Sequence, residues 1–497
     1  MKQQTPQKKF LINLLILLTL NLLIKPFWIL GIDRGVQNAV GAGDYGFYFA
    51  VLNFTFLFNI LLDFGITSFN NRNLAQNSHL LNKHFSSIVI LKLLLAVVYT
   101  ALSFSAAIII GYNKHQMVML ALLSFNQFLS SFILYLRSNV SGLHFFKTDS
   151  LLSVLDRLLM ILICGILLWG HVTVGTFKIE WFVYSQTAAY LVTVIIALLI
   201  VMRKAKFSRL KWNKPFFLMI IKKSFPFAIL GLLMAFYNRI DSVMVERILP
   251  GNTGEYQAGL YASAYRLLDA SNMIAYLFSV LLLPLFARML KFKESVEKLA
   301  RLSFTLLFVL SVISAMGSFF YSEQFMTMLY PQHIEESAAV FASRIGQTSQ
   351  IFGLLMFGFI PISSVYVFGT LLTANGNLKQ LNIIAGCGML LNIGLNFLLI
   401  PWFQAIGSAY ASLSTQLITA VLQIVLVVHL FKFKLNIGYL VRVGLFLAAT
   451  LTFCALSRML PYSWMINMML MVLCSLIFAA SVGLLSVKSL IYALKKS

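Results

Sequence analysis

The chain has 497 residues, of which 60% are hydrophobic and 11% charged, and its mean hydropathy is +0.87. Soluble globular proteins carry about 25% charged residues, so this composition excludes a soluble fold and predicts an all-α integral membrane protein. The formal net charge of +23 would suit nucleic acid, but the basic residues occupy short segments between apolar runs, which excludes nucleic acid as a partner.

The apolar runs predict about fourteen membrane-spanning helices, each of about 20 residues and long enough for a hydrocarbon core about 30 Å thick. Their approximate bounds, in chain order, are 10–30, 45–68, 87–111, 117–136, 151–170, 181–202, 224–248, 259–286, 302–321, 345–372, 381–400, 405–430, 441–460 and 463–485. Of the 38 Lys and Arg residues, 27 fall in the two tails and the even-numbered connections, and 5 in the odd-numbered connections, when Arg442 and Arg458 near the ends of the thirteenth span are counted with the connections that they adjoin. The positive-inside rule therefore predicts that both termini are cytoplasmic.

The basic residues also suggest a division into domains. Residues 203–223 hold eight Lys and Arg residues between the sixth and seventh spans, and we interpret them as a cytoplasmic linker. The predicted domains are an N-lobe at 1–202, the linker at 203–223, a C-lobe at 224–430, and two extra helices with a cytoplasmic tail at 431–497. A faint internal repeat supports two pseudosymmetric six-helix lobes, since Gly46-Phe47-Tyr48 and Gly259-Leu260-Tyr261 open the second and eighth spans.

Charged residues inside the apolar runs are the first candidates for function. Arg239 and Asp241 lie near the middle of the seventh span, where a charge costs at least ~2.5–3.5 kcal/mol. Two residues apart on a helix, they point to nearly opposite sides. We expect Arg239 to line a water-filled cavity and Asp241 to find a partner on a neighbouring helix.

Other charges extend this pattern. Lys25 precedes Pro26 in the first span and either faces the cavity or snorkels to the outer interface. Arg266 and Asp269 share a face of the eighth span and either serve the cavity or form an ion pair that locks helices together. Asp63, Lys92 and Arg157 lie near the predicted inner surface. Asp63 either contributes to gating or has only a solvated, structural role there, while a structural or snorkelling role is expected for the other two.

Uncharged polar residues recur at helical spacing in several spans. Such stripes either line a wet cavity or join helices by hydrogen bonds. The candidates for cavity lining are Gln127 in the fourth span, Asn392 and Asn396 in the eleventh, and Ser412 in the twelfth.

The usual enzyme signatures are missing from the sequence. It has no nucleotide-binding glycine loop of the Walker type and no metal-ligand spacing, and its four cysteines lie inside apolar runs. No cofactor or metal is therefore expected. A cationic cavity favours an anionic substrate such as a lipid diphosphate, which arginine binds through paired hydrogen bonds. A cation-coupled multidrug exporter and a membrane-bound glycan polymerase or ligase are the alternatives.

Several motifs resemble the polysaccharide flippases (the O-antigen, Wzx-like branch) of the multidrug/oligosaccharidyl-lipid/polysaccharide exporter superfamily. They are Gly43-Asp44-Tyr45-Gly46-Phe47-Tyr48, Leu62-Asp63-Phe64-Gly65-Ile66, Arg239-Ile240-Asp241-Ser242-Val243-Met244, Ala258-Gly259-Leu260-Tyr261, the segment 371–379 with Asn392 and Asn396, and Ile400-Pro401 with Ile406-Gly407-Ser408-Ala409-Tyr410. The order and spacing of these motifs cover nearly the whole chain.

The resemblance implies two lobes around a cavity that opens to one side of the membrane at a time. It also implies movement of undecaprenyl-diphosphate-linked oligosaccharide across the bacterial inner membrane, with a glycan polymerase and other assembly proteins as possible partners. By position, Lys25, Arg239 and Arg266 would take the diphosphate. Asp241 and Asp269 are candidates for coupling by protonation. The extra pair at 441–485 leaves open a lipid II flippase, since relatives of that kind have fourteen spans.

Overall fold

The computed structural model describes residues 23–24, 26–67, 70–71, 74, 80–143, 145–170, 177–203, 214–333, 336–433 and 436–485. It contains fourteen α-helices in the described part of the chain, and no strand occurs there. They are α1 (Arg34–Leu57), α2 (Leu80–Ile110), α3 (Lys114–Gly142), α4 (Phe146–Trp169), α5 (Ile179–Met202), α6 (Lys214–Ile248), α7 (Asn252–Lys291), α8 (Glu297–Phe320), α9 (Ser322–Leu329), α10 (Ala338–Phe357), α11 (Phe359–Ala374), α12 (Leu378–Phe431), α13 (Ile437–Ser457) and α14 (Trp464–Ser481).

Eleven helical stretches among the described residues are long and apolar enough to cross a membrane. Two of them join consecutive segments: 338–374 combines α10 and α11, and the 54-residue α12 contains the predicted eleventh and twelfth spans. The all-α membrane fold expected from the composition is confirmed. Most of the first predicted span, 10–30, lies outside the described residues, and a π-helical turn at Trp28–Asp33 leads into α1.

Several helices begin where a polar side chain replaces a missing backbone partner. At α3, the Asn113 side chain accepts from the Gln116 amide while the Gln116 side chain accepts from the Asn113 amide, both at 2.9 Å. Asn436 caps α13 by accepting from the Tyr439 amide at 3.1 Å. These caps fix where the helices start after short connections.

The first compact unit comprises residues 1–246 and 251–259. In it α3 packs along α5, and α4 packs against both. Its apolar core includes Phe85 of α2, Leu136 of α3 and Phe217 of α6. Helix α6 contacts the end of α1, since the rings of Phe58 and Phe236 lie 5.9 Å apart between centroids. The predicted lobe boundary at 203–223 is a separate, sequence-based division and stays a prediction.

The second unit comprises residues 247–250 and 260–497. Here α8 is central and contacts α10, α11, α13 and α14. The extra pair α13 and α14 packs on α8 through an apolar cluster that includes Val312, Phe446 and Met471. The Tyr321 and Ser457 hydroxyls, 2.7 Å apart, add a polar contact between the end of α8 and the end of α13.

Candidate functional site

Arg239 and Asp241 occupy different environments on α6 within the first unit. Asp241 is buried, with 1% of the residue exposed, whereas Arg239 is only partly buried. The Arg239 guanidinium carbon lies 5.3 Å from the centroid of the Phe56 ring on α1. This difference in burial fits the opposite directions expected for two residues two positions apart.

Arg266 and Asp269 lie on α7 within the second unit. Arg266 is 5% exposed, and Asp269 is partly exposed. Their role in substrate binding or coupling stays a prediction. Lys25, the third predicted cation, lies outside the described residues.

Asp63 lies just after α1 and forms an ion pair with Lys92 of α2, at 2.5 Å. Lys92 is 1% exposed, and its ammonium also donates to the Leu62 carbonyl at 2.9 Å and to the Ser131 hydroxyl at 3.0 Å. A structural role was expected for Lys92, and its buried contacts fit one. The pairing with Asp63 was not predicted, although the two opposite charges lie at the same end of neighbouring spans.

The polar stripe of the fourth span joins α3 to the end of α1. Gln127 accepts from the Asn59 side chain at 2.9 Å and donates to the Thr55 hydroxyl at 3.3 Å. One turn further on, Ser131 donates to the Leu62 carbonyl at 3.1 Å. The helix-joining alternative therefore fits Gln127 and Ser131 in this structure.

A second polar stripe lies inside α12. Asn396 is fully buried and donates to the Asn392 carbonyl at 2.9 Å, and its side-chain oxygen accepts from Ser408 at 2.6 Å. The last bond spans the kink at Gln404, where φ is 54° and ψ is −135°. Ser412, one turn beyond Ser408, is 5% exposed. The bond between Ser408 and Asn396 fits helix joining, and cavity lining by Asn392, Asn396 and Ser412 stays a prediction.

Arg157 belongs to an aromatic cluster that the sequence did not reveal. Its guanidinium carbon lies 5.3 Å from the centroid of the Trp28 ring, and that ring stacks on Phe182 with centroids 5.7 Å apart. Asp156 Oδ2 is 3.8 Å from Arg157 Nε. The clue available in the sequence was a charged pair inside an apolar run, but the aromatic partners come from other helices.

These features define a multi-pass helical membrane protein with charged side chains at the depth of its spans, a pattern typical of transporters. The family described as "Polysaccharide biosynthesis protein" matches residues 11–290, which is more than half of the chain, and the chain belongs to that family. No curated protein sequence matches the chain.

Solved structures with the same fold include a lipid II flippase and transporters of the MATE family. The lipid II flippase MurJ in an inward closed conformation matches with a TM-score of 0.69 and 16% identity, over 92% of this chain and 97% of that one. An inward-facing multidrug resistance MATE family transporter matches with a TM-score of 0.61 and 14% identity, over 85% and 98%. The Vibrio cholerae MATE transporter VcmN in the bent form matches with a TM-score of 0.52 and 14% identity, over 85% and 96%. These structures share the fold that the resemblance in the sequence motifs implies.

Proposed function

We propose that the protein is a flippase for undecaprenyl-diphosphate-linked oligosaccharide, which it moves from the inner to the outer leaflet by alternating access. The observation that carries the proposal is the partly buried Arg239 guanidinium in the apolar helix α6. Membership of a polysaccharide biosynthesis family supports a glycan cargo. The fold shared with a lipid II flippase supports a lipid-linked one.

The chemistry of the cargo matches the charges of the chain. A diphosphate offers several oxygens to the forked donors of arginine, and a cation at membrane depth offsets the cost of bringing the anion there. In this proposal Lys25, Arg239 and Arg266 bind the diphosphate while the polyprenyl tail stays in lipid. Asp241 and Asp269 couple transport to protonation, and Asp63 contributes to gating.

The proposal includes a location and partners. The chain spans the bacterial cytoplasmic membrane with both termini inside, as the placement of its Lys and Arg residues predicts. Its cargo is a repeat unit for O-antigen, capsule or exopolysaccharide. A glycan polymerase and other assembly proteins would receive that unit on the outer side, so the chain transports the intermediate and does not itself form glycosidic bonds.

The test is complementation of a bacterial strain that lacks its own polysaccharide flippase. Wild-type protein is expected to restore surface glycan, and Arg239→Ala to reduce it by at least about tenfold, since losing a charge-assisted contact costs about 1.5–3 kcal/mol. Arg203→Ala is the matched control, because Arg203 is exposed at the end of α5 and its loss removes the same charge. Equal amounts of surface glycan with the wild type and with Arg239→Ala would contradict the proposed cationic site.

The same strains separate the alternatives. Resistance to cationic dyes without restored glycan would indicate a multidrug exporter. Rescue of cells depleted of their lipid II flippase, without restored surface polysaccharide, would indicate the lipid II branch. Longer glycan chains made by the purified protein would indicate a polymerase.

A further inference from the structure

The second span is broken near its predicted inner end, at residues 58–65, which we call the break segment. Helix α1 ends at Leu57, a tight 3₁₀ turn follows at Asn59–Leu62, and helical backbone resumes at Ile66. Phe64 has a φ of 44° and Gly65 a φ of 76°. Glycine adopts such a conformation readily, but a phenylalanine does so only when its surroundings hold it there.

Lys92 supplies the contacts that hold the break segment. Its three N–H donors have three acceptors: the Leu62 carbonyl, the Asp63 carboxylate and the Ser131 hydroxyl. Where a helix is interrupted, backbone carbonyls lose their amide partners, and here the ammonium and the Ser131 hydroxyl both donate to the Leu62 carbonyl. A side chain from α2 thus completes the hydrogen bonding of the broken helix.

Asp63 extends this arrangement to the other side of the break. Its carboxylate accepts from the Thr67 hydroxyl at 2.5 Å and from the Thr67 amide at 3.3 Å. Lys92 therefore contacts the Leu62 carbonyl, two positions before the strained Phe64, and also the Asp63 carboxylate that caps the turn after it. Through the Asp63 carboxylate, the ammonium links Leu62 inside the break segment to Thr67 just beyond it.

The break segment in turn packs against α6, the helix that carries Arg239. A Cβ at Gly231 would lie 3.0 Å from Ile60 Cδ1, so the missing side chain leaves the room that Ile60 fills. Phe58 contacts Phe236 edge to face, and Phe56 lies under the Arg239 guanidinium. A continuous set of contacts therefore runs from Lys92 through the break segment to Arg239.

We propose that Lys92 is a positioning residue that holds the break segment in the strained geometry that places Arg239 for transport. The buried Lys92 ammonium donates to the Leu62 carbonyl in place of the backbone amide that a continuous helix would supply. Residues at the end of an element that absorb unusual backbone angles are the usual hinges of moving helices, and strain concentrates at such positions. The transport part of this inference rests on the proposed flippase function, whereas the geometric part does not.

The first experiment measures hydrogen–deuterium exchange of the full chain in lipid nanodiscs. The variant Lys92→Met/Asp63→Asn removes both charges together, so neither is left buried alone. The Leu61, Asp63, Phe64 and Ile66 amides donate to backbone carbonyls within the segment and are expected to be protected in the wild type. Exchange at 58–67 should be about tenfold faster in the variant, with the rest of α1 unchanged.

A matched control removes a different ion pair from the same unit. Arg137 Nε lies 2.8 Å from Asp149 Oδ1 between α3 and α4, away from the break segment in the chain. Arg137→Gln/Asp149→Asn should leave exchange at 58–67 and glycan transport as in the wild type.

The second experiment separates positioning from a merely structural role. The neutral pair is the variant Lys92→Met/Asp63→Asn. If Lys92 only stabilises the fold, a neutral pair with the thermal midpoint of the wild type should also transport as well as the wild type. If Lys92 positions Arg239, the neutral pair keeps the thermal midpoint while restored glycan falls by at least about tenfold. Ser131→Ala, which leaves the Asp63 carboxylate and its proposed gating role intact, should also lower restored glycan. Wild-type exchange at 58–67, or full transport by the double variant, overturns the proposal.

A further variant tests the proposal if the double variant expresses poorly. Ser131→Ala removes one acceptor from the ammonium and one donor to Leu62 without changing charge, and faster exchange confined to 58–67 supports the proposal while unchanged exchange overturns it. The exchange readout needs no substrate. A wild-type chain that fails to restore glycan therefore counts against the proposed function alone.

Discussion

Gly46 and Gly259 are the equivalent glycines of the internal repeat, and the structure brings them into direct contact within the first unit. A Cβ at Gly46 would overlap the Glu255 carbonyl oxygen, and a Cβ at Gly259 would overlap the Ala42 carbonyl oxygen. The Gln37 side chain donates to the Gly259 carbonyl at 3.0 Å. Because the obstructing atoms are backbone, they cannot move aside as the end of a flexible side chain can.

Alanine at either glycine is therefore expected to destabilise the protein. Gly46→Ala and Gly259→Ala should each lower the free energy of unfolding by about 1–3 kcal/mol, the usual cost of overpacking. Gly43→Ala is the control, since no atom lies within 4 Å of its added Cβ. Thermal unfolding in detergent measures the difference, and a Gly46→Ala variant as stable as Gly43→Ala would show that the close approach is not rigid.

A pH dependence is expected from Glu336, which lies before α10 and outside the spans. The Arg344 guanidinium donates to both Glu336 carboxylate oxygens at 2.8 Å, and these bonds hold the pKa of that carboxyl below its ordinary value of 4.5. A carboxylate with a lowered folded-state pKa stabilises the fold fully above the ordinary value. That stabilisation is lost as the pH falls through the folded-state pKa.

Glu336→Gln should remove this acid-sensitive contribution. The wild type is expected to be more stable than the variant at pH 7, and the gap should narrow as the pH falls below about 4.5. Thermal midpoints measured from pH 7 to pH 3 provide the check. A gap that stays constant over this range would show that the ion pair does not contribute through the charge of Glu336.

At the scale of the element, α12 shows how a long apolar helix accommodates a sharp kink. Pro401 lies inside it, and Gln404 has a left-handed φ of 54°. The hydrogen bond from Ser408 to Asn396 connects the two sides of the kink at 2.6 Å. Both residues are fully buried, so this bond has no competition from water.

A double-mutant cycle on Asn396→Ala and Ser408→Ala should give a coupling free energy between about 0.6 kcal/mol, the mean for such bonds in a membrane protein, and about 1.7 kcal/mol, the maximum. Reversible unfolding in mixed detergent micelles supplies the four free energies. Asn396→Ala with Thr450→Ala is the control, since the Thr450 hydroxyl donates to the Phe446 carbonyl on α13. Additive effects for Asn396 and Ser408 would mean that the kink is held by packing alone.

The same elements show how far the sequence could predict the structure. The spans were predictable because each apolar run is about 20 residues long. The interruption after Leu57 was not, since Ile60, Leu61 and Leu62 read as a continuing apolar helix. In our proposal the left-handed conformation at Phe64 is held by Lys92, which is thirty positions from its acceptor Leu62. Local propensity carries no information about such a distant partner.

The candidate site was predictable in part. Charge inside an apolar run drew attention to Arg239 and Asp241, and helical geometry anticipated their different burial. The contact of Arg239 with Phe56 could not be predicted, because it depends on how α6 packs on α1. Polar stripes such as that of Gln127 were ambiguous for a related reason, since cavity lining and helix joining require the same spacing.

At the scale of the whole molecule, the family and the fold limit the classes of molecule that could be transported, but they do not identify the cargo. A polysaccharide biosynthesis family and an exporter fold are compatible with several lipid-linked glycans. The charged residues inside the spans lead to a more specific proposal about the cargo. In the proposed mechanism, guanidinium groups at membrane depth would favour a lipid that carries phosphate over a neutral or cationic lipid.

The most direct measurement is translocation of a fluorescent undecaprenyl-diphosphate oligosaccharide by purified protein in liposomes, read by quenching from outside. Wild-type protein should move the diphosphate lipid and leave a neutral polyprenyl glycoside in place. Arg239→Ala should be slower by at least about tenfold, corresponding to about 1.4 kcal/mol or more, while Arg203→Ala keeps the wild-type rate. Equal movement of both lipids, or an Arg239→Ala variant as fast as wild type, would contradict the account.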